Sequence, residues 1–237
     1  MSATEPLDLL HLDDHLLVVD KPAGLLAHAS RMAADVDEDL LDQLRHQVGG
    51  EVFLVHRLDR ATSGLVLAAR TREAAGELGK QFMARTVEKT YLAVCRGWPA
   101  ETGEIDYALG DVRPNSPKKP ALTRYRRLAT VEVPIALGKY PQQRYALLAV
   151  DPVTGRYRQI RKHFHHVSHH LIGDTSHGRS EHNRLFQSQW QVSRLLLHAR
   201  RLVFTHPATG DRLAFVAPLD PQFQRIVDAV GWHGIAI

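Results

Sequence analysis

Apolar residues in this chain come in short runs of strand length, and no other feature of the sequence narrows the fold as much. The longest runs, such as Tyr145–Val150, fall well below the ~18 apolar residues a membrane-spanning helix requires. Runs this short, bounded by turn-forming residues, read as strands. The opening stretch LDLLHLDDHLLVVDKPAG predicts two short strands joined by a tight turn at Asp13–Asp14. Further strands are expected at Val52–Val55, Gly64–Ala69, Val87–Cys95, Leu122–Leu128, Tyr145–Asp151, Leu195–Phe204 and Leu213–Ala217. The last two are separated by the turn signal His206–Gly210 and are expected to form a hairpin. Helical spacing is confined to a few places. These are Leu40, Leu41 and Leu44 within Asp39–Gln47, and Ala74, Leu78 and Phe82 behind a Thr71 N-cap. Ile160, Phe164 and Val167 mark the buried face of a helix beginning near Tyr157, and Pro221–Val230 reads as a closing helix. Trp98–Pro120, carrying Pro99, Pro114, Pro117 and Pro120, reads as a long surface excursion of the kind that usually has a function. Strands with helices scattered irregularly among them imply an α+β fold with a mixed, largely antiparallel central sheet and flanking helices.

Composition removes several function classes. Hydrophobic residues are 44% and charged residues 24% of 237, the balance of a soluble globular chain. One cysteine, Cys95, excludes an intrachain disulfide framework and a multi-cysteine zinc site, and its strand setting places it in the core. The start, MSATEPLDLL, has no basic segment followed by an apolar one, so a cytoplasmic chain is expected. No GxGxxG offers a dinucleotide cradle. Gly173–Ser180 nearly spells a P-loop, but Arg179 stands where lysine is required and no long helix is expected behind it. His165 with His169, and His166 with His170, have the i, i+4 spacing of a metal pair. No glutamate follows the first histidine, no acid is expected nearby, and neighbouring cations repel a metal. Neither a metal nor an organic cofactor is expected.

Charge distribution points to an anionic partner. Lys plus Arg number 30 against 26 acids, a net of +4. Arg113–Arg127 is basic without one acid, and so is Thr154–Ile172, which carries Arg156, Arg158, Arg161, Lys162 and the His163–His170 cluster. Two such stretches suit a surface that meets nucleic acid, although either alone also suits a solvated basic face.

Two local patterns can carry chemistry. In His56-Arg57-Leu58-Asp59-Arg60-Ala61-Thr62-Ser63-Gly64, a loop between two strands places Asp59 between Arg57 and Arg60. Neighbouring cations favour an ionised carboxylate, which can act as a nucleophile or stabilise positive charge. The same residues also suit a surface turn closed by a salt bridge. In Thr154-Gly155-Arg156-Tyr157-Arg158-Gln159-Ile160-Arg161-Lys162-His163, a turn leads into a helix on which Tyr157, Arg161 and His165 are spaced to share a face, with Arg158, Lys162, His166 and His169 beside it. The helix start would add backbone donors suited to a phosphate.

HRLDRATSGLVLAA resembles the central signature of the RluA-type pseudouridine synthases. Lys21-Pro22-Ala23-Gly24, Glu88–Ala93, TGRYRQIRKH, Ile172-Gly173-Asp174, Leu197-His198-Ala199 and Phe204–Pro207 are similar to the other motifs of that family, in order, from about Asp8 to Asp220. The family usually has histidine where this chain has Arg158. The resemblance implies the pseudouridine synthase fold, a single catalytic domain over 1–237 without an S4 domain, and isomerisation of uridine in RNA with no cofactor or metal. It implies Asp59 as the catalytic carboxylate, Tyr91 against the base, and Arg161 paired with Asp59. Arg57 would fill the gap left by an extruded nucleotide, and Arg60, Arg156, Arg158 and Lys162 would bind RNA. HFHHVSHHLIGDTSHGRSEHNRLF is similar to the TruC-type branch, which modifies uridine 65 of tRNA, so a tRNA substrate is expected; a monomer is expected as well. A ribosomal RNA target, a non-catalytic RNA-binding relative and a metal-dependent phosphoesterase are the alternatives.

Overall fold

Each short apolar run finds a partner strand, because only pairing satisfies the backbone of an extended segment once its side chains are buried. The computed structural model describes residues 6–28, 38–111, 113 and 116–235. In chain order its elements are β1 (Asp8–Leu12), β2 (Leu16–Lys21), α1 (Leu40–Val48), β3 (Phe53–Leu54), β4 (Ser63–Ala69), α2 (Arg72–Ala84), β5 (Glu88–Arg96) and β6 (Thr102–Asp106). There follow β7 (Leu122–Val133), β8 (Gln143–Pro152), α3 (Gln159–His166), α4 (Ser180–Trp190), β9 (Leu197–Thr205), β10 (Arg212–Val216) and α5 (Pro221–Ala229). The chain divides into two compact units, Met1–Lys89 with Ala199–Pro218, and Thr90–His198 with Leu219–Ile237.

In the first unit β1, β2 and β4 form an antiparallel array, β3 pairs with the Ala68–Ala69 end of β4, and β9 and β10 form the expected hairpin. Every residue of β4 is buried. Helix α2 starts where Thr71 Oγ1 accepts the Ala74 N–H, and it buries Ala74 and Leu78 against Leu16, Val18, Leu65 and Leu67. Helix α1 is capped in the same way by Asp39 and buries Leu40, Leu41 and Leu44.

In the second unit β5, β8, β7 and β6 pair antiparallel in that order. Tyr145 and Leu147 of β8 pack with Phe186 of α4 and with Phe223 and Ile226 of α5. Cys95 is buried, as expected of a strand residue, and burial pushes its thiol up.

The structure corrects the sequence reading in four places. The Trp98–Pro120 excursion contains strand β6, whose sequence TGEID buries only Ile105 and so carries little strand signal. Strand β7 runs on to Val133 through a register shift between Arg127 and Ala129, which breaks its alternation. Helix α3 starts at Gln159 and ends at His166, so Val167 is its cap and stays 36% exposed. Helix α4 follows Gly173–Arg179, where no helix is expected; its buried face includes His182, which apolar periodicity does not count.

Candidate active site

The Asp59 loop is braced from below and from both ends. His56 lies beneath it, its Nε2 accepting the Leu67 N–H at 3.0 Å and its ring stacked on Phe82 with centroids 4.9 Å apart. Burial, and then the nearby Lys89 charge, pull its pKa down to about 3, so the imidazole is neutral and a permanent acceptor. Leu58 points into the core, and the Thr62 N–H closes the turn on the Asp59 carbonyl at 3.0 Å. The far end needs glycine: Gly64 has φ 104°, and a Cβ there would meet the Ala199 carbonyl oxygen at 2.3 Å. Asp59 itself is half-buried, between exposed Arg57 and Arg60.

The turn after β2 is tied to the same loop. The Gly24 N–H donates to the Arg60 carbonyl at 2.7 Å, and Arg60 Nε returns a bond to the Gly24 carbonyl at 2.8 Å. Lys21 is fully buried; its Nζ donates to the carbonyls of Pro22 and Leu25 at 2.8 Å and of Arg60 at 3.4 Å. Lys21 enters the sequence reading only through its motif, and this lacing is the role it has. Arg60 is expected to bind RNA, yet its Nε serves the protein.

The other two expected catalytic residues belong to the second unit. Tyr91 lies on β5, opposite Val150 of β8, and is half-buried. Arg161 is on α3 and only 5% exposed. Its Nε and Nη2 form a two-bond fork on Asp174, each at 2.7 Å. Asp174 is the neighbour of Arg161 to which the sequence gives no partner role, since the acid-free stretch is closed at Ile172, two residues short of it. It also overturns the expectation that no acid lies near the histidine cluster. Burial opposes ionisation of Asp174, but the Arg161 fork and the N–H groups of His177 and Ser176 hold its carboxyl below the usual range.

The second basic stretch is built differently from the expected shared helix face. Tyr157 and Arg158 precede α3, with Arg158 as its N-cap in the left-handed region (φ 52°). His169 and His170 follow its end, so neither histidine pair shares a helix face as its spacing suggests. Three of the cations expected to bind RNA hold protein atoms. Arg156 Nε donates to the Pro120 carbonyl, Lys162 Nζ to the Gly110 carbonyl, and Arg158 Nη1 to Ser176 Oγ. His163 Nε2 adds a bond to the Tyr107 carbonyl, and His166 stacks on the Tyr107 ring at 3.7 Å. Together these hold Tyr107, Gly110 and Pro120 against α3 and the turn before it. Lys118 and Lys119, just before Pro120, remain exposed, Lys118 over the Tyr107 ring.

The P-loop resemblance at Gly173–Ser180 also receives its explanation. The N–H groups of Ser176 and His177, which a phosphate would use, donate at 2.9 Å to the Asp174 carboxylate of the same turn. Among the described residues no group of three metal-ligating side chains forms a candidate metal site. No helix there is long and apolar enough to cross a membrane.

The profile of the family described as RNA pseudouridylate synthase matches residues 15–166. The chain is similar to proteins named tRNA pseudouridine synthase C. It is 43% identical to that of Haemophilus ducreyi, with 96% of this chain and 97% of that protein covered. It is 39% identical to that of Yersinia pestis, at 97% and 93%. Against the Pectobacterium carotovorum protein it is 41% identical over 99% of its own length, but spans only 65% of that longer chain. Human RNA Pseudouridylate Synthase Domain Containing 4 superposes with a TM-score of 0.73 at 23% identity, over 94% of this chain and 93% of that one. Human RNA Pseudouridylate Synthase Domain Containing 1 gives 0.72 at 22%, over 100% and 99%. At these identities the solved structures speak for the fold alone.

Proposed function

This chain belongs to the RNA pseudouridylate synthase family and isomerises uridine to pseudouridine in RNA; we propose that its substrate is a transfer RNA, with uridine 65 as the target, and that Asp59 is the carboxylate that acts on the sugar. The observation that carries the site assignment is the loop itself. A half-buried carboxylate is presented between two arginines on a segment fixed by His56, Gly64, Lys21 and the Gly24–Arg60 bonds. Such bracing matters because a misplacement of ~1 Å costs ~100-fold in rate.

The reaction breaks the N1–C1′ bond, turns the base, and joins C1′ to C5; the C5 proton leaves and N1 ends protonated. Composition does not change, so the chemistry needs a charged group at the sugar and a proton acceptor at the base. In this reading Asp59 supplies the first, either by bonding to C1′ or by taking the C2′ proton, and Tyr91 lies against the base at the second. By resemblance to the family, Arg161 is the residue that pairs with and orients Asp59. A stacked uridine hides its glycosidic bond, so the nucleotide is extruded at a cost of a few kcal/mol, and Arg57 fills the space it leaves. Phosphate contacts repay that cost. Lys118 and Lys119, just before Pro120, are the exposed cations suited to them.

The relatives named for tRNA favour tRNA over ribosomal RNA. Pseudouridine mapping of total RNA from cells with and without this protein tests the choice. Loss of one tRNA signal, at uridine 65, is expected; loss at a ribosomal position instead would replace the tRNA reading.

A further inference from the structure

The histidine-rich stretch and the near P-loop after it serve no step of the reaction described above, yet they build one closed structure around Asp174. The Asp174 carboxylate is 1% exposed and takes four hydrogen bonds: the Arg161 fork and the N–H groups of Ser176 and His177. The turn is then held from two sides. His165 Nδ1 and His170 Nδ1 lie 3.0 and 2.9 Å from the His177 carbonyl oxygen. A carbonyl only accepts, so both imidazoles carry their proton on Nδ1. From α4, Asn183 Oδ1 accepts the Gly173 N–H at 2.8 Å and Asn183 Nδ2 donates to the Asp174 carbonyl at 3.0 Å. Gly178 lies so close that a Cβ on it would meet that same carbonyl oxygen at 2.1 Å.

We propose that Asp174 is a positioning residue for the isomerisation: it fixes the plane and rotamer of Arg161, and the turn braced by His165, His170 and Asn183 fixes Asp174. A buried ion pair is poor evidence of stabilisation, since apolar residues of the same volume often serve as well. What a two-bond fork adds is direction. By taking the Nε–Nη2 edge, Asp174 sets where Nη1 points. The inference rests on the reading above, in which Arg161 orients Asp59.

The test uses the full chain and a tRNA transcript, measuring the single-turnover rate of pseudouridine formation at saturating enzyme, RNA affinity by filter binding, and thermal unfolding of each variant. Asp174→Asn keeps the shape and removes the charge. Its rate should fall by about 100-fold, the cost of a misplaced group, while RNA affinity stays within about threefold of the unaltered chain. An Arg161→Met chain should be at least as slow, and the Arg161→Met, Asp174→Asn double variant no slower than Arg161→Met alone, because Asp174 acts only through Arg161. A rate for Asp174→Asn within about threefold of normal, or losses that multiply in the double variant, would overturn the proposal. If Asp174→Asn does not fold, Asn183→Ala decides. It loosens the turn from outside, and it should slow conversion several-fold with affinity unchanged; an undiminished rate would refute the role. The unaltered chain run in parallel separates the two readings. No conversion of tRNA by it condemns the proposed substrate, whereas full conversion beside an equally active Asp174→Asn condemns the positioning role alone.

Discussion

Two aspartates, one in each unit, are held in opposite ways. Asp59 sits on a loop fixed through its main chain, with the Thr62 N–H on its carbonyl and neighbouring residues laced to Lys21 and Gly24. Asp174 is fixed through its carboxylate, which is buried and engaged by Arg161, Ser176 and His177. A half-buried carboxylate on a loop fixed through its backbone can be offered to a substrate at a defined place. One whose acceptor sites are taken up by the protein can only hold something else. The difference separates a residue suited to chemistry from a residue suited to architecture, although both are aspartates beside arginines.

The largest expected break in this contrast is in stability. Asp174→Leu removes the buried two-bond fork on Arg161 and should cost about 3–5 kcal/mol, whereas Asp59→Asn should cost about 1 kcal/mol or less. Urea unfolding of the two variants compares them; equal losses would erase the distinction.

Acid probes a neutral histidine behind each region, His56 under the Asp59 loop and His182 on α4. Tyr145 Oη and His182 Nδ1 share a hydrogen bond at 2.9 Å, and burial, then the Arg96 charge, pull the pKa of His182 down to about 4. The folded chain keeps both rings neutral while the unfolded chain protonates them near the ordinary histidine value of 6.5. Stability should therefore be full above that value and decline as pH falls from 6.5 through 4. The loss for His182 alone should reach roughly 2–3 kcal/mol by about pH 4.5. An unfolding midpoint in urea that does not move between neutral and acid pH would contradict this.

Lys21→Met strands carbonyls that a buried amine now satisfies and should cost about 1–3 kcal/mol. It should also slow conversion, because the Asp59 loop loses its lower tie. Destabilisation without any change of rate would show that the lacing serves the fold only. The smallest effect belongs to the surface. Replacing Lys118 and Lys119 together by alanine should weaken RNA binding several-fold, with a salt slope about 1–2 shallower and the rate at saturating RNA unchanged; an unaltered slope would take these lysines out of the RNA face.

Most of the fold is legible in the sequence where one residue type carries the signal. Runs such as LLVVD and SGLVLAA become β2 and β4, the Thr71 cap marks α2, and the spacing of Leu40, Leu41 and Leu44 marks α1. Strand β6 and helix α4 are not legible, because β6 buries one apolar side chain and α4 relies on a histidine for its inner face. The loop carrying Asp59 is visible as a loop with a strand on either side, but its bracing by Lys21 requires knowing that residues 39 apart meet. Asp174 stays hidden for a related reason. Arg161 reads as one more cation in a basic stretch until folding brings an acid 13 positions away onto its edge.

The carboxylate at position 59 is the group proposed to perform the isomerisation. The most direct test is single-turnover conversion of tRNA uridine by the Asp59→Asn chain beside the unaltered chain, with RNA affinity measured on the same preparations. The account predicts no detectable pseudouridine from Asp59→Asn, with affinity within about threefold of normal. Pseudouridine formed by Asp59→Asn at an undiminished rate would contradict it.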